Sequence, residues 1–238
     1  MKNISQISST ILATLLTLSI GNSVEAASIT WSNGPNFGGV EGFESIDTTG
    51  SLVEAVNLGR TGPLTVDPTG LNITFTPEDK LGAYFFMSGS PSSNDSAWNT
   101  IINEADFNGF NGTFDNFFTD LTVGQTYQVQ LFASDTRLGG NIPTRTQYFH
   151  DGLGNQSSTF LQSSFTSIIG TFTADATTQS LGISASSNGI GGNDPILSAY
   201  VLRDITPTEN TTSVPEPTST LALLGAAGTG LLASRRKR

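Results

Sequence analysis

The chain has 238 residues, a net charge of −10 and no cysteine, which leaves room for one sizeable domain and rules out disulfides and thiolate metal sites. Between residues 27 and 210 there are 18 Asp and Glu against 5 Lys and Arg, so this part repels phosphate backbones and nucleic acid is not expected as a partner. Glycine is abundant, lysine is scarce, and Thr, Ser, Asn and Phe are plentiful, a mixture suited to short strands and tight turns and poorly suited to long helices.

In chain order, residues 1–26 have the layout of a signal peptide. Lys2 supplies the positive start, Ile11 to Ile20 the apolar centre, and Val24-Glu25-Ala26 a cleavage site before Ala27. The apolar run falls short of the roughly 20 residues a span requires, which favours cleavage over an uncleaved anchor. Residues 27–205 follow as the domain. Its clearest strand is Thr126 to Ser134, where Tyr127, Val129, Leu131 and Ala133 alternate with Gln128, Gln130 and Phe132, after a turn at Gly124-Gln125. Further strands are expected at 52–58, 71–76, 83–87, 168–174, 181–185 and 196–203, the last apolar on both alternating faces and so buried on both sides. Ser96 to Phe118 is the least strand-like stretch, and Ala97 to Ala105 reads as a short helix or a loop crossing the sandwich. No fixed repeat is present. The fold class is therefore all-β, an antiparallel β-sandwich with polar loops at its ends.

The succession Leu52-Val53-Glu54-Ala55-Val56-Asn57-Leu58-Gly59, then Leu121 to Phe132, then Leu202-Arg203 resembles malectin-like and galactose-binding-like sandwiches. The resemblance implies the jelly-roll and, by analogy, carbohydrate binding; fold analogy alone does not fix function.

The densest polar cluster follows the long strand: Asp135 and Arg137, then Arg145, His150 and Asp151, with Arg203 placed to return beside them. An arginine fork can grip vicinal sugar hydroxyls, or it can hold a structural salt-bridge network pinning the loop from Leu138 to Thr144. Trp31, Trp98, Tyr148 and Phe149 are candidate stacking platforms against the ordinary alternative of core aromatics, which Tyr84, Phe85 and Phe86 resemble; Trp98, among Ser, Asn and Asp, is the one expected to be exposed. The ligand-binding candidates are thus Trp98, Asp135, Arg137, Arg145 and Tyr148. Asp106, Asn108 and Asp115 bring oxygen ligands beside turn glycines, making calcium the one cofactor the residues admit, although the same pattern describes ordinary turns. One histidine cannot build a zinc site, no Gly-x-Ser-x-Gly elbow exists, and no pair of carboxylates is singled out, so the domain is expected to be non-catalytic.

Residues 206–213 form a linker. Val214-Pro215-Glu216-Pro217 then opens an apolar stretch from Thr218 to Ala233, closed by Arg235-Arg236-Lys237-Arg238. This is a short transmembrane helix rich in Gly and Ala, whose basic end stays cytoplasmic and leaves the domain outside. Motif, helix and basic end in that order resemble the PEP-CTERM sorting tail, here residues 214–238. The resemblance implies export through the Sec machinery, transient anchoring in the cytoplasmic membrane, recognition by exosortase, and delivery to the cell surface or extracellular matrix of bacteria that make exopolysaccharide. The expected function is a surface or matrix protein whose domain binds polysaccharide. The alternatives are a structural or adhesive module without a defined ligand and a carbohydrate-active enzyme.

Overall fold

A computed structural model of the chain describes residues 26–86, 93–135, 145–186 and 194–208. They are mostly strand, as expected, in stacked sheets that form a sandwich. The strands are β1 (Thr30–Asn36), β2 (Ser51–Asn57), β3 (Leu64–Val66), β4 (Ile73–Pro77), β5 (Ala83–Phe86), β6 (Glu104–Phe107), β7 (Gly112–Phe118), β8 (Thr126–Phe132), β9 (Thr146–His150), β10 (Phe160–Leu161), β11 (Thr166–Thr173), β12 (Gln179–Ser186), β13 (Ile196–Leu197) and β14 (Ala199–Asp204). One helix, α1 (Ser96–Asn103), and two 3-10 turns complete the described elements. A seven-stranded sheet has the order β1-β11-β8-β14-β2-β4-β3, a four-stranded sheet the order β10-β9-β12-β7, and a small third sheet the order β13-β6-β5. Pairing is antiparallel except between β2 and β4, which run parallel through Val56↔Thr76 and Asn57↔Pro77.

Two cores lie on opposite faces of the seven-stranded sheet. Between the large sheets, Tyr127, Val129, Leu131 and Ala133 meet Phe149, Leu181, Ile183, Phe117 and Phe118. These are the β8 residues that the alternation selects. Phe132 turns to the other face and joins Phe37, Phe75, Trp98, Ile101, Ile102, Ala199 and Val201 in a second core. The strand expected at 196–203 is indeed buried on both sides, with Tyr200 and Leu202 in one core and Ala199 and Val201 in the other. It breaks at Ser198, so that β13 pairs with β6 while β14 sits between β8 and β2. The turn before β8 closes on Gly124, whose φ of +88° suits a residue without Cβ.

Helix α1 covers the second core. Asp95 caps it, accepting the Trp98 amide at 2.9 Å. Trp98, Ile101 and Ile102 then recur at helical spacing on one buried face. The polar side of β8 is covered too. Gln130 donates to the Ser45 carbonyl (2.9 Å) and accepts the Asp47 amide (2.7 Å), while Gln128 donates to Asp47 Oδ2 (2.8 Å). Among the described residues no helix is long and apolar enough to cross a membrane. The signal peptide (apart from Ala26) and the sorting tail fall outside those residues.

Candidate functional site

Of the expected polar cluster only Asp135 and Arg145 are brought together, as buried structure, while Asp151 turns to the Ile29 amide, which it accepts at 3.1 Å. Arg145 Nη1 lies 3.8 Å from Asp135 Oδ2 and Nη2 lies 3.5 Å from Asp194 Oδ2. Arg145 is 6% exposed and Asp135 1%. Glutamines knit the surrounding backbone. Gln147 donates to the Ile196 carbonyl (2.8 Å) and accepts its amide (2.9 Å), and Gln162 donates to Gln147 Oε1 and to the Asp194 carbonyl, both at 3.0 Å. Asp135 follows β8, Arg145 precedes β9 and Asp194 precedes β13, so the ion pairs tie together the chain beside these three strands. Charges this deep are held by their partners and are not offered to a ligand. Arg137 lies outside the described residues.

Arg203 does not join this cluster. Strand β14 pairs Ala199 with Phe132 but Arg203 with Gln128, which carries Arg203 to the opposite end, where Nη1 faces the Thr48 and Gly50 carbonyls at 3.4 and 3.3 Å.

Trp98 is also corrected. It is 0% exposed, and Phe37 and Phe132 meet its ring edge-on at 6.3 and 5.1 Å. Its polar neighbours belong to the helix cap and to the exposed side of α1. Trp98 and Tyr148 therefore lie in different layers and cannot share a ligand. Trp31 is half-buried and stacks on Phe149 at 6.4 Å against the main core.

The calcium candidates are spent separately. Asp106 Oδ2 accepts the Lys80 and Leu81 amides (2.8 and 3.4 Å), and Asn108 donates to the Leu81 carbonyl (3.0 Å), so both hold the turn at 79–82. Asp115 faces out from β7 and accepts from Ser180 Oγ (3.3 Å). Among the described residues no three His, Asp or Glu side chains gather as metal ligands. Asp106 Oδ1 is buried without a donor, and burial, with Asp79 nearby, pushes the Asp106 carboxyl up to about 6. A neighbouring recess of about 240 Å³ is lined by Gly59, Arg60, Pro77, Glu78 and Asp79. Its Arg60–Asp79 pair, at 3.7 Å, is solvent-exposed on both sides.

Tyr148 belongs to a different arrangement. On β9 it shares the outer face of the four-stranded sheet with Thr146 and His150, while Gln147 and Phe149 point inward. The register sets Tyr148 opposite Ser184 and His150 opposite Gly182. The two rings are 5.9 Å apart and tilted by 46°. A Cβ at Gly182 would overlap the His150 ring, so the glycine is what lets the imidazole lie against the sheet. His150 Nδ1 accepts the Gly152 amide (3.2 Å) and Nε2 faces Ser184 Oγ (3.4 Å). Burial lowers the proton affinity of His150, so the ring is neutral at neutral pH. Sequence reasoning named Tyr148 but missed His150 and Gly182 as its companions, because strand register alone brings residues 150 and 182 together.

Residues 213–238 match the PEP-CTERM protein-sorting motif. The chain thus carries the tail of an exosortase-sorted exported protein, one anchored in the membrane and then cleaved. No curated protein matches the chain. Among solved structures, it is similar to the ANX2 ectodomain from Arabidopsis thaliana, at 14% identity and TM-score 0.43, covering 74% of this chain and 55% of that one. It is similar also to the ANXUR2 extracellular domain from Arabidopsis thaliana, at 14% identity and TM-score 0.43, covering 66% and 49%. The plant receptor-like kinase FER gives 15% identity and TM-score 0.40, covering 66% and 50%. The chain spans about half the length of these structures, and nothing about its ligand follows from likenesses this slight.

Proposed function

We propose that the chain is a non-catalytic protein of the cell surface or extracellular matrix, whose jelly-roll-like domain binds polysaccharide after exosortase processing. The observation that carries this reading is the sorting tail, the mark of an exported protein, and the reading takes exopolysaccharide as the polymer the exported domain meets. The site supports it in kind: the ion pairs of Arg145 with Asp135 and Asp194 are structural, and the groups facing out around Tyr148 are hydroxyls and the Tyr148–His150 ring pair. Aromatic faces and hydroxyls are the chemistry that sugar C–H faces and sugar hydroxyls require.

The reading is tested by pull-down of residues 27–208 on exopolysaccharide, with and without calcium. These residues contain both cores and every described strand. Retention is expected. A folded sample that is not retained under either condition overturns polysaccharide binding. The second reading is a scaffold module without a defined ligand, favoured by the structural use of Arg145.

A further inference from the structure

Resting on the polysaccharide reading, we infer that the sugar site is the outer face of the four-stranded sheet around Tyr148 and His150, and that it takes a neutral polysaccharide chain laid across the strands. The argument begins with what this face lacks. No Lys or Arg occurs in β7, β9, β10 or β12, and Arg145, which precedes β9, is turned inward to Asp135 and Asp194. Asp115, on the β7 margin, adds negative charge. A polyuronate or sulfated chain would bring its charges to strands that carry no Lys or Arg among the described residues, whereas a neutral chain meets no such repulsion.

What the face offers fits the neutral case. Thr146, Tyr148 and His150 stand on one side of β9, opposite Ser186, Ser184 and Gly182 of β12. Beyond β12 lies Thr113 of β7, which is paired with Gly182. Ser184 is itself buried, at 8% exposure, so the open hydroxyls are those of Thr146, Ser186 and Thr113, with the Tyr148 and His150 rings between them. The imidazole is preorganised. His150 is held at both nitrogens, Nδ1 by the Gly152 amide and Nε2 by Ser184 Oγ, and lies over the bare backbone of Gly182. Fixed rings lose little entropy when a ligand stacks on them. A face made only for solubility would carry charged side chains, as open sheet faces commonly do, and this one carries hydroxyls. Binding across strands rather than at loop tips places the site on the most rigid part of the fold.

The test uses residues 27–208 and host exopolysaccharide separated by ion exchange into neutral and anionic fractions, with binding followed by affinity electrophoresis and folding by thermal melting. The neutral fraction retards the wild type. Tyr148→Ala weakens that retardation about tenfold, the loss expected for one stacking ring, with an unchanged melting temperature. Tyr148→Phe retains it, and Ser186→Arg, a bulky charged residue at an exposed position on the same face, abolishes it. Arg60→Ala, in the recess by Asp79, leaves it unchanged. If the wild type binds neither fraction, the polysaccharide reading itself fails. If it binds but Tyr148→Ala and Ser186→Arg bind equally well, the reading stands and this site is overturned. Retardation by the anionic fraction alone overturns the neutral chemistry.

Discussion

The seven-stranded and four-stranded sheets bury one face against each other, yet their outer faces are finished in opposite ways. The outer face of the seven-stranded sheet presents Phe132, Ala199 and Val201, and α1 lays Trp98, Ile101 and Ile102 over them. Where that face turns polar, at Gln128 and Gln130, the segment around Ser45 and Asp47 caps the amides. The four-stranded sheet instead presents Thr146, Tyr148, His150 and Ser186, none of which is fully buried. Large apolar side chains demand a cover, because each leaves water at a gain of about 1.5–3 kcal/mol. Hydroxyls on a glycine-relieved backbone demand none, and so can remain open for a ligand.

The largest effect that would break this comparison lies under the cover. Trp98→Ala removes the centre of the second core and should cost about 3–5 kcal/mol in urea denaturation; a cost below about 1 kcal/mol would mean that the covered face is not a core. Next comes Arg145→Ala, which removes the cationic neighbour of the buried Asp135 and should cost about 3 kcal/mol, again read by denaturation. A loss confined to ligand binding, at unchanged stability, would return Arg145 to the list of ligand groups.

Asp106 gives a smaller effect with a sign. Its carboxyl holds its proton up to about 6 when folded, against a usual value of 3.8. The folded state therefore binds the proton more tightly than the unfolded state, so this contribution to stability is complete below 3.8 and is lost as pH rises through about 6. Ionised Asp106 then costs on the order of 1–3 kcal/mol at neutral pH. Asp106→Asn, which keeps an acceptor for the Lys80 and Leu81 amides, should raise stability at pH 7.5 and flatten the slope between pH 4 and 7. An unchanged slope would place the titration elsewhere. Smallest of all is Tyr148→Ala on the open face, where stability should change by less than about 0.5 kcal/mol. A larger loss would make Tyr148 part of the core.

The same contrast explains what could be read from sequence. The alternation in β8 and the double apolar face of β14 were legible because apolar side chains there fill both cores directly. Strand β9 was hidden because one of its two inward positions is Gln147, a polar residue satisfied by the backbone of Ile196. Strand β1 was hidden by its Gly and Pro, which an edge strand tolerates. The cap and spacing of α1 lay in plain view at Asp95, Trp98, Ile101 and Ile102, but the polar residues around Trp98 disguised its burial. Pairing of Arg145 with carboxylates was foreseeable from the scarcity of basic residues, while the shelf of His150 on Gly182 depends on a register between strands 32 positions apart in the chain, which composition does not encode.

The most direct test of the open-face claim is an amide chemical-shift map of isotope-labelled 27–208 titrated with the neutral exopolysaccharide fraction. Shifts concentrated at 146–150 and 182–186 are predicted. Shifts concentrated at 59–61 and 77–82 instead, around the Arg60–Asp79 recess, would contradict the account.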